Sequence, residues 1–227
     1  MTPNKLTFRN QFIIELYCVF VPSKAIDTRG RKLLTTEQYD VPECFLHDLE
    51  GILISGGEVK DRVIKQAKEI TEHFKGKNPY ALIVLKGASI YGMDLIKRIR
   101  LQVPYDFVKV DAGYDGTTPV REPSITGLNY KILEGKDVLI IEDIADTKRT
   151  VNLLKTSIQS YSKAVSISIA ALLLKPVRNL PEFKSLYIDF GGFTIDDHFV
   201  VGGGLDWRDL YRGLAHISVL KKEIYSK

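Results

Sequence analysis

Val138-Leu-Ile-Ile-Glu-Asp-Ile-Ala-Asp-Thr-Lys-Arg-Thr150 joins a short apolar run to three acids, two threonines and a basic pair. The apolar part, Lys136 to Ile141, reads as a parallel strand buried on both faces. Thr150 to Ser160 reads as the helix after its turn. Ligands of an open α/β sheet bind at the carboxyl ends of its strands. Backbone N–H groups at a helix N-terminus, with the hydroxyls of Thr147 and Thr150 beside them, form a cradle for a phosphate. The neighbouring carboxylates of Glu142 and Asp143 can accept hydrogen bonds from vicinal sugar hydroxyls. An N-cap with acids in its first turn would account for one Asp and one Thr. It leaves the other two acids and the second threonine unexplained, so the run points to a ribose phosphate.

Working outward, the same strand–turn–helix pattern repeats. Ala81-Leu-Ile-Val-Leu85 is a second continuously apolar strand, running into Lys86-Gly87 and a helix from about Ser89 to Arg100. Tyr105 to Val110 is a further strand, and Asp111 to Gly127 is a long polar loop rich in Gly, Thr and Pro. Val165 to Leu174 is another strand, with short ones expected at Leu186 to Phe190 and Phe199 to Val201. Towards the N-terminus, Ile52 to Ser55 is a short strand ended by Gly56-Gly57. Glu58 to Phe74 then places Val59, Val63, Ala67, Ile70 and Phe74 at helical spacing. Residues 1–50 are irregular apart from a strand at Phe12 to Val21. The alternation predicts an α/β fold: a central parallel sheet flanked by helices, with right-handed crossovers. No repeat or linker divides the chain, so one domain over 1–227 is expected.

Composition is compatible with this and removes other classes. A chain of 227 residues with 44% hydrophobic content can bury a full core. Its net charge of +4 is spread out rather than massed, which argues against nucleic acid and membrane surfaces as partners. Cys18 and Cys44 have no metal-ligand spacing, and His47, His73, His198 and His216 are dispersed. Phe12 to Val21 contains Glu15, lacks a cleavage pattern and is too short to cross a bilayer. A cytoplasmic setting is the expectation.

The phosphate run is not a Walker loop, because Gly-x-x-x-x-Gly-Lys-Ser/Thr is absent, and Gly202-Gly203-Gly204 reads only as a flexible turn. Five segments in order instead resemble the type I phosphoribosyltransferases, in particular their hypoxanthine-guanine members. They are Val84-Leu-Lys-Gly87, residues 105–127, the run 138–150, Ala171-Leu-Leu-Leu-Lys175, and Phe199-Val-Val-Gly202 with Leu205-Asp206 and Arg212.

The resemblance implies the family's fold, with a small hood formed from the N- and C-terminal segments. It also implies transfer of phosphoribosyl from 5-phosphoribosyl-1-pyrophosphate to hypoxanthine or guanine in a homodimer or homotetramer. Glu142 and Asp143 would hold the ribose hydroxyls, Asp146 would act as acid/base by the purine N7, and Thr147, Lys148, Arg149 and Thr150 would wrap the 5′-phosphate. Lys86 and Gly87, across a cis peptide common in the family, would grip pyrophosphate together with Arg212. Lys175 would donate to the 6-oxo group, Phe199 would stack on the base, and the Val200 carbonyl would meet its edge. Without the resemblance, Phe199 would read as core and Lys175 as an exposed strand end. Asp206 would be a ligand to Mg²⁺, and Gly113-Tyr114 would belong to the closing loop.

Departures from the family pattern are also visible. Lys148 stands where glycine is commonest, and a left-handed backbone there would cost a lysine about 1–2 kcal/mol. Ala88 replaces a small polar residue or glycine, Asp111 a common lysine, Gly113 a serine, Trp207 a tyrosine and Gly213 an acid. A weakly active, nucleotide-binding regulatory paralogue is the alternative reading.

Overall fold

The computed structural model describes residues 24–226, except 112, 116 and 117 and the side chains of 114, 115, 118 and 119. In chain order the strands begin β1 (Ile26–Asp27), β2 (Leu49–Ile54), β3 (Pro79–Leu85), β4 (Tyr105–Asp111), β5 (Tyr114–Asp115) and β6 (Thr118–Pro119). They continue β7 (Ser124–Thr126), β8 (Asp137–Ala145), β9 (Ser166–Leu174), β10 (Phe190–Thr194), β11 (Val200–Val201) and β12 (Ile217–Leu220). The helices are α1 (Glu43–Leu46), α2 (Gly56–His73), α3 (Ala88–Ile96), α4 (Arg149–Tyr161) and α5 (Lys222–Tyr225).

The main sheet has the order β1-β10-β9-β8-β3-β4-β7, parallel throughout except for the antiparallel edge pair β4/β7. β8 lies at its centre, and Val138 to Ile141 are essentially inaccessible to solvent, as a strand covered on both faces requires. From β3 the chain passes through α3 to β4 on one side, whereas from β8 it passes through α4 to β9 on the other. Right-handed crossovers in opposite directions put α3 and α4 on opposite faces. The switch in direction opens a crevice between the carboxyl ends of β3 and β8, where such sheets bind ligands.

A second, antiparallel sheet of order β11-β12-β2 combines chain from both ends of the described residues. It carries the segment around Phe199 towards the crevice. α2 leaves this sheet through a capping box: Glu58 N donates to Ser55 Oγ at 3.3 Å, and Ser55 N donates to Glu58 Oε2 at 3.0 Å. The stripe Val63, Ala67, Ile70 and Phe74 is buried, as its spacing predicts.

Several sequence expectations are corrected. β8 runs on to Ala145, so Glu142 and Asp143 lie within the strand rather than beyond it. α2 begins at Gly56, because Ser55 caps it, and α3 ends at Ile96 rather than Arg100. The strand expected at Leu186 to Phe190 is found at Phe190–Thr194, where it pairs with β9 on one side and β1 on the other. β1 and β12 carried no reading of their own, and the strand expected at Phe12 to Val21 lies outside the described residues. Among those residues, no helix is long and apolar enough to cross a membrane.

Candidate active site

The acid pair sits on the buried strand that forms one wall of the crevice. Glu142 and Asp143 are 7% and 9% exposed, and Glu142 Oε2 has no hydrogen-bond partner. Burial, reinforced by the neighbouring Asp143 charge, pushes the Glu142 carboxyl well above the ordinary glutamate range. Burial likewise raises Asp143, although its Oδ1 accepts from Ile144 N at 2.8 Å. Burial thus disfavours the charged form of both groups, and a hydroxyl donor reaching the unpartnered Glu142 Oε2 would offset part of that cost.

The opposite wall is the loop after β3. The cis peptide of this loop is Leu85–Lys86, one bond before the Lys86–Gly87 backbone for which the resemblance implied it. The backbone of Gly87 lies directly against the Asp143 carboxylate, and Gly204 lies against the Gly87 carbonyl, where an added β-carbon would come within 2.0 Å of that oxygen. Gly202 approaches the His216 carbonyl as closely. The glycine run is therefore a close-packed brace, which corrects the reading of a flexible turn.

Beside this loop, Lys86 Nζ and Arg212 each meet Asp209 Oδ1 at 2.9 Å, and Arg212 also meets Asp206 Oδ1 at 2.9 Å. Arg212 donates to Gly204 O at 2.8 Å, tying the cation to the brace. Lys86, Gly87, Arg212 and Asp206 are thus brought together, with Asp209 between the cations. Three described residues nearby, Arg208, Asp209 and Tyr211, have positive φ. Nothing in their side-chain chemistry advertised this bend.

At the carboxyl end of β8, Lys148 is the left-handed N-cap of α4, with φ 67° and ψ 7°. This is the backbone that glycine would occupy freely. Lys148 Nζ donates to Leu186 O at 2.8 Å, so its side chain is turned to the 179–188 segment, away from the head of α4. Thr147 Oγ1 accepts from Arg149 N at 3.4 Å at the head of the helix. In the closing-loop segment, Gly113 has φ 76°, and a β-carbon there would lie 2.1 Å from Arg121 O, which explains the absence of a serine. The side chain of Tyr114 is not among those described.

A cavity of about 370 Å³ opens beside Asp146, lined by Ile144, Lys175, Arg178, Asp197, Phe199 and Val200, among others. Lys175 is 7% exposed, and burial lowers its pKa while Asp146 and Asp197 oppose that shift. Its Nζ lies 3.6 Å from Asp197 Oδ1. Phe199 is stacked on Tyr225, with ring centroids 4.5 Å apart, and meets Trp207 edge-on at 5.4 Å. The sequence reading missed Arg178, Asp197, Asp209 and Tyr225, whose places depend on segments far apart in the chain.

Comparison with known proteins agrees with this geometry. The profile of the phosphoribosyl transferase domain matches residues 53–208. The chain is 38% identical over 185 residues to the bifunctional TilS/HprT protein of Listeria monocytogenes, covering 82% of this chain and 28% of that protein's length. It is 40% identical over 179 residues to the hypoxanthine-guanine phosphoribosyltransferase of Bacillus subtilis, covering 79% of this chain and 97% of the relative. The crystal structure of a hypoxanthine phosphoribosyltransferase from Staphylococcus aureus superposes with a TM-score of 0.76 at 34% identity, over 83% of this chain and all of that one. With fold, crevice and relatives in agreement, the chain belongs to the phosphoribosyltransferase family, among its hypoxanthine-guanine members.

Proposed function

We propose that this chain is a purine salvage enzyme: it transfers phosphoribosyl from 5-phosphoribosyl-1-pyrophosphate to hypoxanthine or guanine, giving IMP or GMP and pyrophosphate. The observation that supports the proposal is the contact between Gly87 and Asp143, which joins the loop read as pyrophosphate-binding to the acids read as ribose-binding, in one crevice beside the cavity at Asp146.

In this reading the anomeric C–O bond breaks early, so negative charge grows on pyrophosphate while the ribose becomes cationic. Lys86, Gly87 and Arg212 receive the leaving group, and their donors are worth most where they meet charge that develops in the transition state. Glu142 and Asp143 hold the ribose hydroxyls, and Thr147 to Thr150 hold the 5′-phosphate. Lys175 fixes the 6-oxo group, Phe199 and Val200 fix the base, and Asp146 takes the proton the base gives up as it bonds to the ribose.

Asp206, whose two oxygens here meet Arg212 at 2.9 Å and the Asp209 N–H at 2.7 Å, would turn to Mg²⁺ as an oxygen ligand, a role suited to an ion that keeps much of its water. When bound the ion would neutralise the leaving group. A homodimer or homotetramer and a cytoplasmic location belong to the same proposal.

The test is steady-state turnover with hypoxanthine, guanine, xanthine and adenine, with Mg²⁺ and with chelator. Formation of IMP or GMP that is lost in Asp146→Asn supports the reading. Saturating substrates that yield neither nucleotide overturn it. No particular observation favours the regulatory alternative.

A further inference from the structure

The described residues place an arginine on the residue read as the acid/base. Arg178 Nε donates to Asp146 Oδ1 at 3.2 Å, although the two are 32 positions apart. Its NH1 lies 3.8 Å from Asp197 Oδ2, and the other oxygen of Asp197 lies 3.6 Å from Lys175 Nζ. All four side chains line the same cavity.

The turn that carries Arg178 is fastened to the phosphate loop rather than resting against it. Lys175 N donates to Ala145 O at 3.1 Å, and Arg178 N donates back to Lys175 O at 3.0 Å. In the amide orientation that satisfies both neighbours, Asn179 would donate to Asp146 O at 2.8 Å and accept from Lys148 Nζ at 3.3 Å, clamping the same segment. An isolated surface ion pair of this kind would do little. Here both backbones are held, so the side-chain bond has one geometry to adopt.

We propose that Arg178 is a positioning residue for Asp146, and that Asp197 registers it with Lys175; this rests on the reading of Asp146 as the acid/base. With Oδ1 committed to the guanidinium, Oδ2 is the oxygen turned to the base. The N7 and 6-oxo positions of an oxopurine are neighbours, and one linked chain, Lys175–Asp197–Arg178–Asp146, presents a donor and an acceptor to the same cavity. The arginine does not touch the reacting atoms; it determines which oxygen of Asp146 does.

The experiment compares Arg178→Ala, Arg178→Lys, Asp146→Asn and the double variant Arg178→Ala/Asp146→Asn in the full chain. Arg178→Ala should lower kcat roughly 10–100-fold, the loss expected for one charge-assisted hydrogen bond, with the KM for the phosphoribosyl donor little changed. Added guanidinium should restore part of that loss. Arg178→Lys should recover less than guanidinium does, because an ammonium cannot reproduce the planar fork. The double variant should be no slower than Asp146→Asn alone.

An unchanged kcat in Arg178→Ala overturns the proposal. So does a loss that is independent of Asp146, or one that follows a lowered melting temperature without guanidinium rescue. If Asp146→Asn itself turns over normally, the acid/base reading fails first. If that variant is dead while Arg178→Ala is fully active, only the positioning role fails.

Discussion

A β-carbon added to Gly87 would lie 1.6 Å from Oδ2 of Asp143, so the loop after β3 and the acid pair of β8 are in direct backbone-to-carboxylate contact. No side chain fits between them. Gly87→Ala must therefore push the loop off the acid, and overpacking of this kind costs about 1–3 kcal/mol. Thermal unfolding should register the loss, and turnover should fall at least 100-fold because the pyrophosphate donors move out of line by an ångström or more.

The left-handed Lys148 separates two contributions. Lys148→Ala keeps the unfavourable backbone and removes the bond to Leu186 O, so it should destabilise by about 0.5–1.5 kcal/mol. Lys148→Gly also loses that bond but relieves about 1–2 kcal/mol of strain, so it should melt close to the parent. Because the side chain points to the 179–188 segment, the KM for the phosphoribosyl donor should change by about twofold or less in both variants. A large rise in Lys148→Gly would show that the lysine side chain reaches the phosphate.

Glu142 links the site to pH. Its folded pKa is raised, so between the ordinary value of 4.5 and the raised one the folded protein holds more protons than the unfolded chain. Stability contributed by this group is therefore lost as pH rises through that window. Glu142→Gln does not titrate. Its melting temperature relative to the parent should climb as pH is taken upward from about 4.5, while its KM for the phosphoribosyl donor rises about tenfold because an acceptor oxygen is exchanged for an amide nitrogen. A pH-independent difference in melting temperature would refute the assignment.

Lys175 is nearly inaccessible and faces the cavity beside Asp197. Lys175→Met keeps the stem and removes the charge. The KM for hypoxanthine should rise roughly 10–100-fold, while that for the phosphoribosyl donor stays within about twofold. Equal rises in both would place Lys175 outside the base subsite.

The legible parts of the molecule were local. Val138 to Ile141 announced a buried strand because every side chain in it is apolar, and Val59 to Phe74 announced a helix because its apolar positions recur every three or four residues. Boundaries were harder. Glu142 and Asp143 look like the end of a strand, yet β-pairing to β9 carries the backbone on to Ala145. Ser55 and Glu58 carried a capping signal at the correct spacing, which the glycines between them obscured.

By itself, the sequence determined the alternation of strands and helices, and it determined the acids and threonines at the end of β8, because periodicity and residue chemistry act over a few positions. Only the tertiary structure decided that Gly87 touches Asp143, that Gly204 braces Gly87, and that Arg178 meets Asp146. Those contacts join residues 32 to 117 positions apart, and they exist because the crossovers from β3 and β8 diverge and bring the carboxyl ends of both strands to one crevice.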